Sequence, residues 1–324
     1  MKSSAGSILA FREKAYLLID FRYIEKAKSL VKNCEVILTT NFKEQATELL
    51  KKHNARIIAI ESDTVTVSQL AVYKSTFEGY EIDSSNALSA AITDLRAKKS
   101  QWEIEKIITA QRIAEKSFEN VLNFIKEGKT EKEIALELNN HMLKSGAEAL
   151  SFDTIALTGK NSSLPHGVPG ETRVKSGEFV LMDYGAVYDG YHSDMTRTIC
   201  VGKPSEEMQN VYDTVLKAQE MALKAAKAGI IGNELDKIAR DVISSAGYSD
   251  YFGHGLGHGV GMEIHEYPNA SPSSKAILEE NMIVTVEPGI YLPEKFGVRI
   301  EDMIVLRSSG AENLTKCRKN LISI

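Results

Sequence analysis

The second half of the chain carries five side chains able to ligate metal: Asp183, Asp194, His258, Glu287 and Glu301. They stand in the frames LMDYGA, YHSDMTRT, GHGLGHGVG, TVEPG and VRIED. Four carboxylates and one imidazole make an oxygen-rich donor set with room for two divalent ions. Ions so held lower the pKa of a water and turn it into a nucleophile for an amide carbonyl. The residue types therefore point to a metal-dependent hydrolase. Hard oxygen donors in the majority favour manganese or cobalt over a thiolate-rich structural zinc site, and zinc is compatible with them.

Two strand ribbons must position the carboxylates. Residues 178–201 predict a hairpin that turns at Asp189-Gly190. In that register Tyr188 faces Tyr191 and Asp183 faces Thr196, and Asp194, two residues from Thr196, shares the face of Asp183. Two acids so placed repel each other unless a cation lies between them. The bland alternative is a pair of solvated surface acids, but Asp183 follows the apolar run Phe179–Met182. A second ribbon is predicted with strands near 282–292 and 298–306. Glu287 and Glu301 share a face there if the connecting loop has an odd number of residues, and a five-residue loop over 293–297 satisfies this. Pro288 removes a ladder donor just after Glu287, which predicts a kink that re-aims the carboxylate; the alternative is an ordinary strand end.

His258 sits among five glycines in the run Gly253–Gly261, which argues against a helix and for close backbone approach. No register fits the dinucleotide fingerprint, and HExxH is absent. Five of the seven histidines (His166, His192, His254, His258 and His265) fall between 166 and 265. A lone histidine is more often structural; this concentration beside four acids favours a site.

At 324 residues the chain is long enough for two domains. Residues 1–99 read as an α/β unit: a strand pair over 8–20 with a turn near Arg12–Lys14, helix 21–32, strand 35–40, helix 42–52, strand 56–62 and a helix near 66–77. Residues 100–324 form the second unit. It opens with a capping box, Ser100 and Glu103, that starts a helix running to about Glu127. A duplication then emerges: Gly128, Glu133 and Gly146 match Gly229, Glu234 and Gly247 at an offset of 101, each set following a long helix (101–127 and 205–227). Asp183 matches Glu287 at 104 and Asp194 matches Glu301 at 107. Chance matching of helix-ending glycines is the alternative. The duplication predicts an α+β domain of two pseudo-twofold halves, each supplying two carboxylates, with metal between them.

Lys plus Arg total 39 and Asp plus Glu 44, a net charge of −5, which gives no reason to expect a nucleic-acid or anionic-membrane partner. No apolar run spans a bilayer. The N-terminal stretch, MKSSAGSILAFREK, does not read as a signal peptide. Cys34, Cys200 and Cys317 are too few and too far apart for a disulfide framework. A reducing cytoplasm is the expected compartment.

These motifs, from ILAFREKAYLLIDFRYIEKA through VRIEDMIVL, resemble the pita-bread metallopeptidases, and within them the Xaa-Pro branch of aminopeptidase P and prolidase. The resemblance implies a C-terminal pita-bread domain (100–324) behind a creatinase-like N-terminal domain (1–99). It implies two metal ions: Asp183 on one through both oxygens, Asp194 and Glu301 bridging, His258 and Glu287 completing the other. His166, in SLPHGVPG, corresponds to a substrate-contacting histidine, and His265, in EIHE, to the one that steadies the tetrahedral intermediate. Arg299 and His254 match flanking residues of the substrate site; His192 has weaker support. Glu287 is the implied proton shuttle. The implied substrates are peptides with proline second, and a homodimer is compatible with the resemblance. An aminopeptidase P activity is expected, with prolidase the alternative. Relatives begin with a further segment, so the N-terminal domain is expected to be a shortened one. Two lesser alternatives are a creatinase-like amidinohydrolase, whose relatives lack the full ligand set, and a scaffold pseudoenzyme, which loss of ligands usually marks; methionine aminopeptidase lacks the preceding domain.

Overall fold

The computed structural model describes residues 4–324, so the first three residues of the N-terminal stretch lie outside the description. The chain divides into two compact units, Met1–Thr93 and Asp94–Ile324. Among the described residues no helix is long and apolar enough to cross a membrane.

In the first unit β1 (Ser7–Ala10) and β2 (Ala15–Ile19) pair antiparallel. The Phe11 N–H donates to the Lys14 carbonyl at 2.9 Å and closes the predicted turn. There follow α1 (Ile24–Leu30), β3 (Glu35–Leu38), α2 (Phe42–Lys52), β4 (Ile57–Ala59), α3 (Val67–Thr76) and β5 (Glu81–Asp83), and then α4 (Ala87–Ala97). β2 runs parallel to β3 and β4 parallel to β5, each pair joined through a crossover helix, as parallel pairing requires. Asn41 caps α2 and a Thr66–Gln69 capping box starts α3. Tyr16, Leu18, Leu49, Leu50 and Phe77 fill the core. The α/β expectation is met; β5 and α4 are additions to it.

The second unit opens with α5 (Gln101–Leu122) and α6 (Glu131–Lys144). The Ser100–Glu103 box is made: the Ser100 N–H donates to Glu103 Oε2 at 2.7 Å, and the Glu103 N–H donates to Ser100 Oγ at 3.4 Å. The helix ends earlier than the expected Glu127, because the backbone beyond it is drawn into the loop where Gly128 N–H donates to the Val174 carbonyl. Then come β6 (Ala149–Leu150), β7 (Ile155–Thr158), β8 (Glu178–Tyr184), β9 (Ala186–Tyr188), β10 (Tyr191–His192) and β11 (Met195–Val201). A second round follows: α7 (Glu206–Ala225), α8 (Gly232–Ser245), β12 (Gly257–Gly259), β13 (Glu266–Ala270), β14 (Ile283–Val286), β15 (Gly289–Leu292), β16 (Phe296–Arg299), β17 (Asp302–Arg307) and β18 (Gly310–Asn313).

The duplication is visible in the topology. The first half has the sheet order β7-β8-β11, and the second has β12-β14-β17 within a larger sheet. A helix pair precedes each, and α6 and α8 are both 14 residues long. Apolar faces of α7 and α8 pack on β14 and β17 through Val211, Val215, Leu235, Val284 and Ile304. Those of α5 and α6 pack on β8 and β11 through Phe118, Ile134, Leu138, Val180 and Ile199. Full burial of such side chains is worth roughly 1.5–3 kcal/mol each, enough to hold the ribbons in fixed register.

Candidate metal centre

The first ribbon has the predicted register, with Asp183 opposite Thr196 and Tyr188 opposite Tyr191. Asp189 (φ 49°) and Gly190 (φ 80°) form the turn, both in the left-handed region such a two-residue hairpin needs. The ribbon is not continuous, however. It breaks at Gly185 on one strand and at Ser193-Asp194 on the other, and beyond the break β9 pairs with β6. The cause is a close backbone crossing: a Cβ on Gly185 would lie 1.9 Å from the Ser193 carbonyl oxygen. Asp194 thus leaves the strand ladder at the point where its carboxylate enters the site.

The second ribbon breaks at the equivalent place, between Val286 and Gly289 and between Arg299 and Asp302. The kink expected at Pro288 is there. The five-residue loop over 293–297 is not: Leu292 pairs with Phe296, which leaves a three-residue turn over 293–295 with Glu294 at φ 59°. The register on both sides of the break, Val286 with Asp302 and Gly289 with Arg299, sets Glu287 opposite Glu301. The odd count was the physical requirement, and three residues meet it.

His258 lies in β12 and not in a helix. A Cβ on Gly257 would stand 2.0 Å from the Thr285 carbonyl oxygen, so only glycine lets β12 lie this close to β14. The His258 backbone N–H donates to Thr285 Oγ1 at 3.0 Å. His258 Nδ1–H donates to the Gly259 carbonyl at 3.0 Å, which leaves the Nε2 lone pair for a ligand. That nitrogen is 3.3 Å from Glu287 Oε1 and 3.6 Å from Asp194 Oδ2.

Every site residue anticipated from the sequence except His192 lines one cleft of about 750 Å³: His166, Asp183, Asp194, His254, His258, His265, Glu287, Arg299 and Glu301. The tightest group is Asp194, His258 and Glu301, whose ligand atoms lie within 4.8 Å of one another. Glu287 adjoins it through His258, and Asp183 through Arg299, whose Nη2–H donates to Asp183 Oδ2 at 2.5 Å. His265 is exposed, its ring edge-on to His258 at 4.3 Å. His166 is exposed on the cleft wall. His192 instead donates its backbone N–H to the Gly261 carbonyl at 2.9 Å and its Nδ1–H to the same oxygen at 3.2 Å.

The electrostatics call for a cation. Burial, and then repulsion from Glu301, Asp183 and Glu287, pushes the Asp194 carboxyl well above its usual range. Burial and the charges of Glu287 and Asp183 do the same to Glu301, and burial pushes Glu287 up to about 7. Burial lowers His258, keeping its imidazole neutral. Asp183 Oδ1 is buried with no hydrogen-bond partner in the protein. Acids forced together, a neutral imidazole with an open lone pair and an orphaned carboxylate oxygen fit a divalent metal.

Three further residues support the site without having been singled out from the sequence. Thr285 Oγ1 donates to Glu287 Oε1 at 3.0 Å and Thr196 Oγ1 to Glu301 Oε2 at 2.6 Å. Tyr291 accepts from Arg299 Nη1 at 2.8 Å and donates to His254 Nε2 at 2.9 Å. The threonines carry a signal in the strand period: each stands two residues from a candidate ligand, Thr285 from Glu287 and Thr196 from Asp194.

Residues 105–308 match the model of metallopeptidase family M24, and residues 2–97 that of the creatinase/prolidase N-terminal domain. The chain is 41% identical to an Xaa-Pro dipeptidase from Pyrococcus furiosus, over 98% of this chain and 89% of the relative. It superposes on an Xaa-Pro dipeptidase from Bacillus anthracis with a TM-score of 0.96 at 40% identity, covering 100% of this chain and 90% of that one. An X-Pro aminopeptidase from Thermotoga maritima gives a TM-score of 0.91 at 39% identity, covering 99% and 89%. The α+β expectation of a creatinase-like N-terminal domain and a pita-bread domain is met. Dipeptidases outnumber aminopeptidases among these relatives, which favours the prolidase alternative over the expected aminopeptidase P. Agreement with one family model through the duplicated halves, and identity near 40% along almost the whole length, make this chain a member of metallopeptidase family M24.

Proposed function

We propose that the chain is an Xaa-Pro dipeptidase that binds two divalent ions, manganese or cobalt, and hydrolyses dipeptides ending in proline. The observation that carries this is the convergence of Asp183, Asp194, His258, Glu287 and Glu301 on one cleft, in a chain whose relatives include Xaa-Pro dipeptidases. Dipeptidase replaces aminopeptidase P as the preferred reading on the strength of those relatives. Three free cysteines agree with a reducing cytoplasm.

When bound, the metal pair supplies Lewis-acid polarisation of the scissile carbonyl and a lowered water pKa. The chain's own residues supply the rest. Glu287, steadied at Oε1 by Thr285, takes a proton from the attacking water and returns it to the departing proline nitrogen. His265 and His166, exposed on the cleft wall, donate hydrogen bonds as negative charge develops. The acidic cluster draws in the substrate ammonium group and sets it beside the bond to be cleaved.

The test compares hydrolysis of Ala-Pro and Ala-Pro-Ala by protein stripped with chelator and reloaded with Mn²⁺ or Co²⁺. Metal-dependent cleavage of Ala-Pro in preference to the tripeptide is expected. Preference for Ala-Pro-Ala restores the aminopeptidase reading, and no cleavage of either by protein carrying two bound ions rejects the peptidase.

A further inference from the structure

We propose that Glu266, clamped between Lys99 and Arg96, is a positioning residue that fixes the His265 imidazole against His258. This rests on the reading of His265 as a substrate-contacting group.

His265 lies on the connection between β12 and β13, where the register slips between His258 and Gly259. An exposed ring on such a segment has little of its own to fix its direction, so its placement depends on how the backbone beside it is anchored. Glu266, the next residue, is that anchor. Its carboxylate receives Lys99 Nζ at 2.6 Å on Oε1 and Arg96 Nη2 at 2.9 Å on Oε2, and Oε2 also accepts the Glu263 N–H at 3.3 Å. The Glu266 side chain is 8% exposed and Lys99 is 1% exposed, so bulk water does not screen the contact. Gly261 makes room for it, since a Cβ there would lie 2.3 Å from Glu266 Oε1. The far side of the segment is held by His192, whose two donors meet the Gly261 carbonyl. The sequence singled out His192 without a role; here it secures the other end of the same arm.

A buried ion cluster of this kind contributes little net stability, because desolvation offsets the attraction. What it does supply is direction: two cations on separate carboxylate oxygens define both the position and the rotation of Glu266. The peptide that joins it to His265 is set with it. Misplacement of a contacting group by an ångström can cost on the order of a hundredfold in rate.

Glu266→Gln keeps the shape and removes the charge, and Lys99→Met removes the principal donor. Both are measured in the metal-loaded protein on Ala-Pro. The expected result is kcat lowered about tenfold by either change, with KM moved less than about twofold and metal content and melting temperature retained. In a His265→Ala background the same changes should cost less than about twofold more. Equal losses in both backgrounds, or no loss in either, overturn the proposal. A second readout does not depend on catalysis: in zinc-loaded protein with labelled histidine, the His265 ring signal should shift and broaden in Glu266→Gln. An unchanged ring signal overturns the clamp. A His265→Ala variant with full activity instead overturns the role read for His265, and the ring signal still decides the clamp.

Discussion

The hydroxyl of Thr285 donates to Oε1 of Glu287 at 3.0 Å, and its oxygen accepts the His258 backbone N–H, also at 3.0 Å. One small side chain thereby holds two proposed ligands, a carboxylate just past the end of β14 and a histidine on neighbouring β12. Thr196 does the corresponding work in the other half, donating to Glu301 while accepting Arg299 Nε–H at 3.0 Å. Thr285→Val keeps the volume and removes both bonds. Groups that orient ligands in this way are worth roughly 10–100-fold in metal affinity. Thr285→Val should fall by that amount in a competition titration, and Thr285→Ser should restore most of it; equal affinity in all three proteins would exclude the role.

Asp194→Ala and Glu287→Ala should abolish hydrolysis while the fold persists. Both acids are held up in pKa by burial, so neither stabilises the metal-free protein by its charge. Metal-free Asp194→Ala should therefore melt no lower than the metal-free parent. Retained hydrolysis in either variant would remove that residue from the centre.

Metal loading should release protons. Asp194, Glu287 and Glu301 have folded pKa values above the ordinary carboxylate value of about 4. The metal-free folded state therefore keeps protons that the unfolded chain gives up, and the contribution of these groups to stability falls as pH rises through about 4. It reaches its floor above the folded values, about 7 for Glu287. Ligation requires the deprotonated forms. Calorimetric titration in two buffers of different ionisation enthalpy should find more protons released near pH 6 than near pH 8. Proton release independent of pH would contradict the assignment.

Arg299 is buried and reaches three groups at once: Asp183, Thr196 and Tyr291. Tyr291 passes the chain to His254, whose Nδ1–H donates to the Gly255 carbonyl at 2.8 Å. Burial pushes His254 down to about 4, so its imidazole is neutral at neutral pH. Arg299→Ala strands the half-buried Asp183 carboxylate, and the expected loss is about 3 kcal/mol in a urea titration of the metal-free protein. A loss below about 0.5 kcal/mol would show that Asp183 finds another partner.

Gly257→Ala should damage stability and metal binding together. Its Cβ would lie 2.0 Å from the Thr285 carbonyl, so β12 must move off β14 and carry His258 with it. Destabilisation of about 2 kcal/mol is expected, with weaker metal binding. Gly253→Ala, which would meet nothing within 4 Å, is the control. Comparable losses in the two variants would refute the packing explanation.

What the sequence determined by itself was local and periodic. The Asp-Gly turn and the alternation of β8 and β11 set Asp183 against Thr196, because side-chain direction along a strand follows residue count. The glycine spacing and the paired acids revealed two like halves, because a repeated fold must place its turns and ligands at repeated intervals. The Ser100 cap was legible for the same reason: its partner stands three residues away.

Tertiary structure decided the rest. The break at Gly185 depends on the Ser193 carbonyl across the ribbon, and the shape of the 293–295 turn on how β15 meets β16. The roles of Thr285, Tyr291 and Glu266 depend on partners that the fold brings close. Lys99 is 167 residues from Glu266 in the chain and 2.6 Å from it in space. Strand period and turn chemistry are properties of a few consecutive residues, whereas burial, hydrogen-bond partners and shifted pKa values belong to neighbours that only folding supplies.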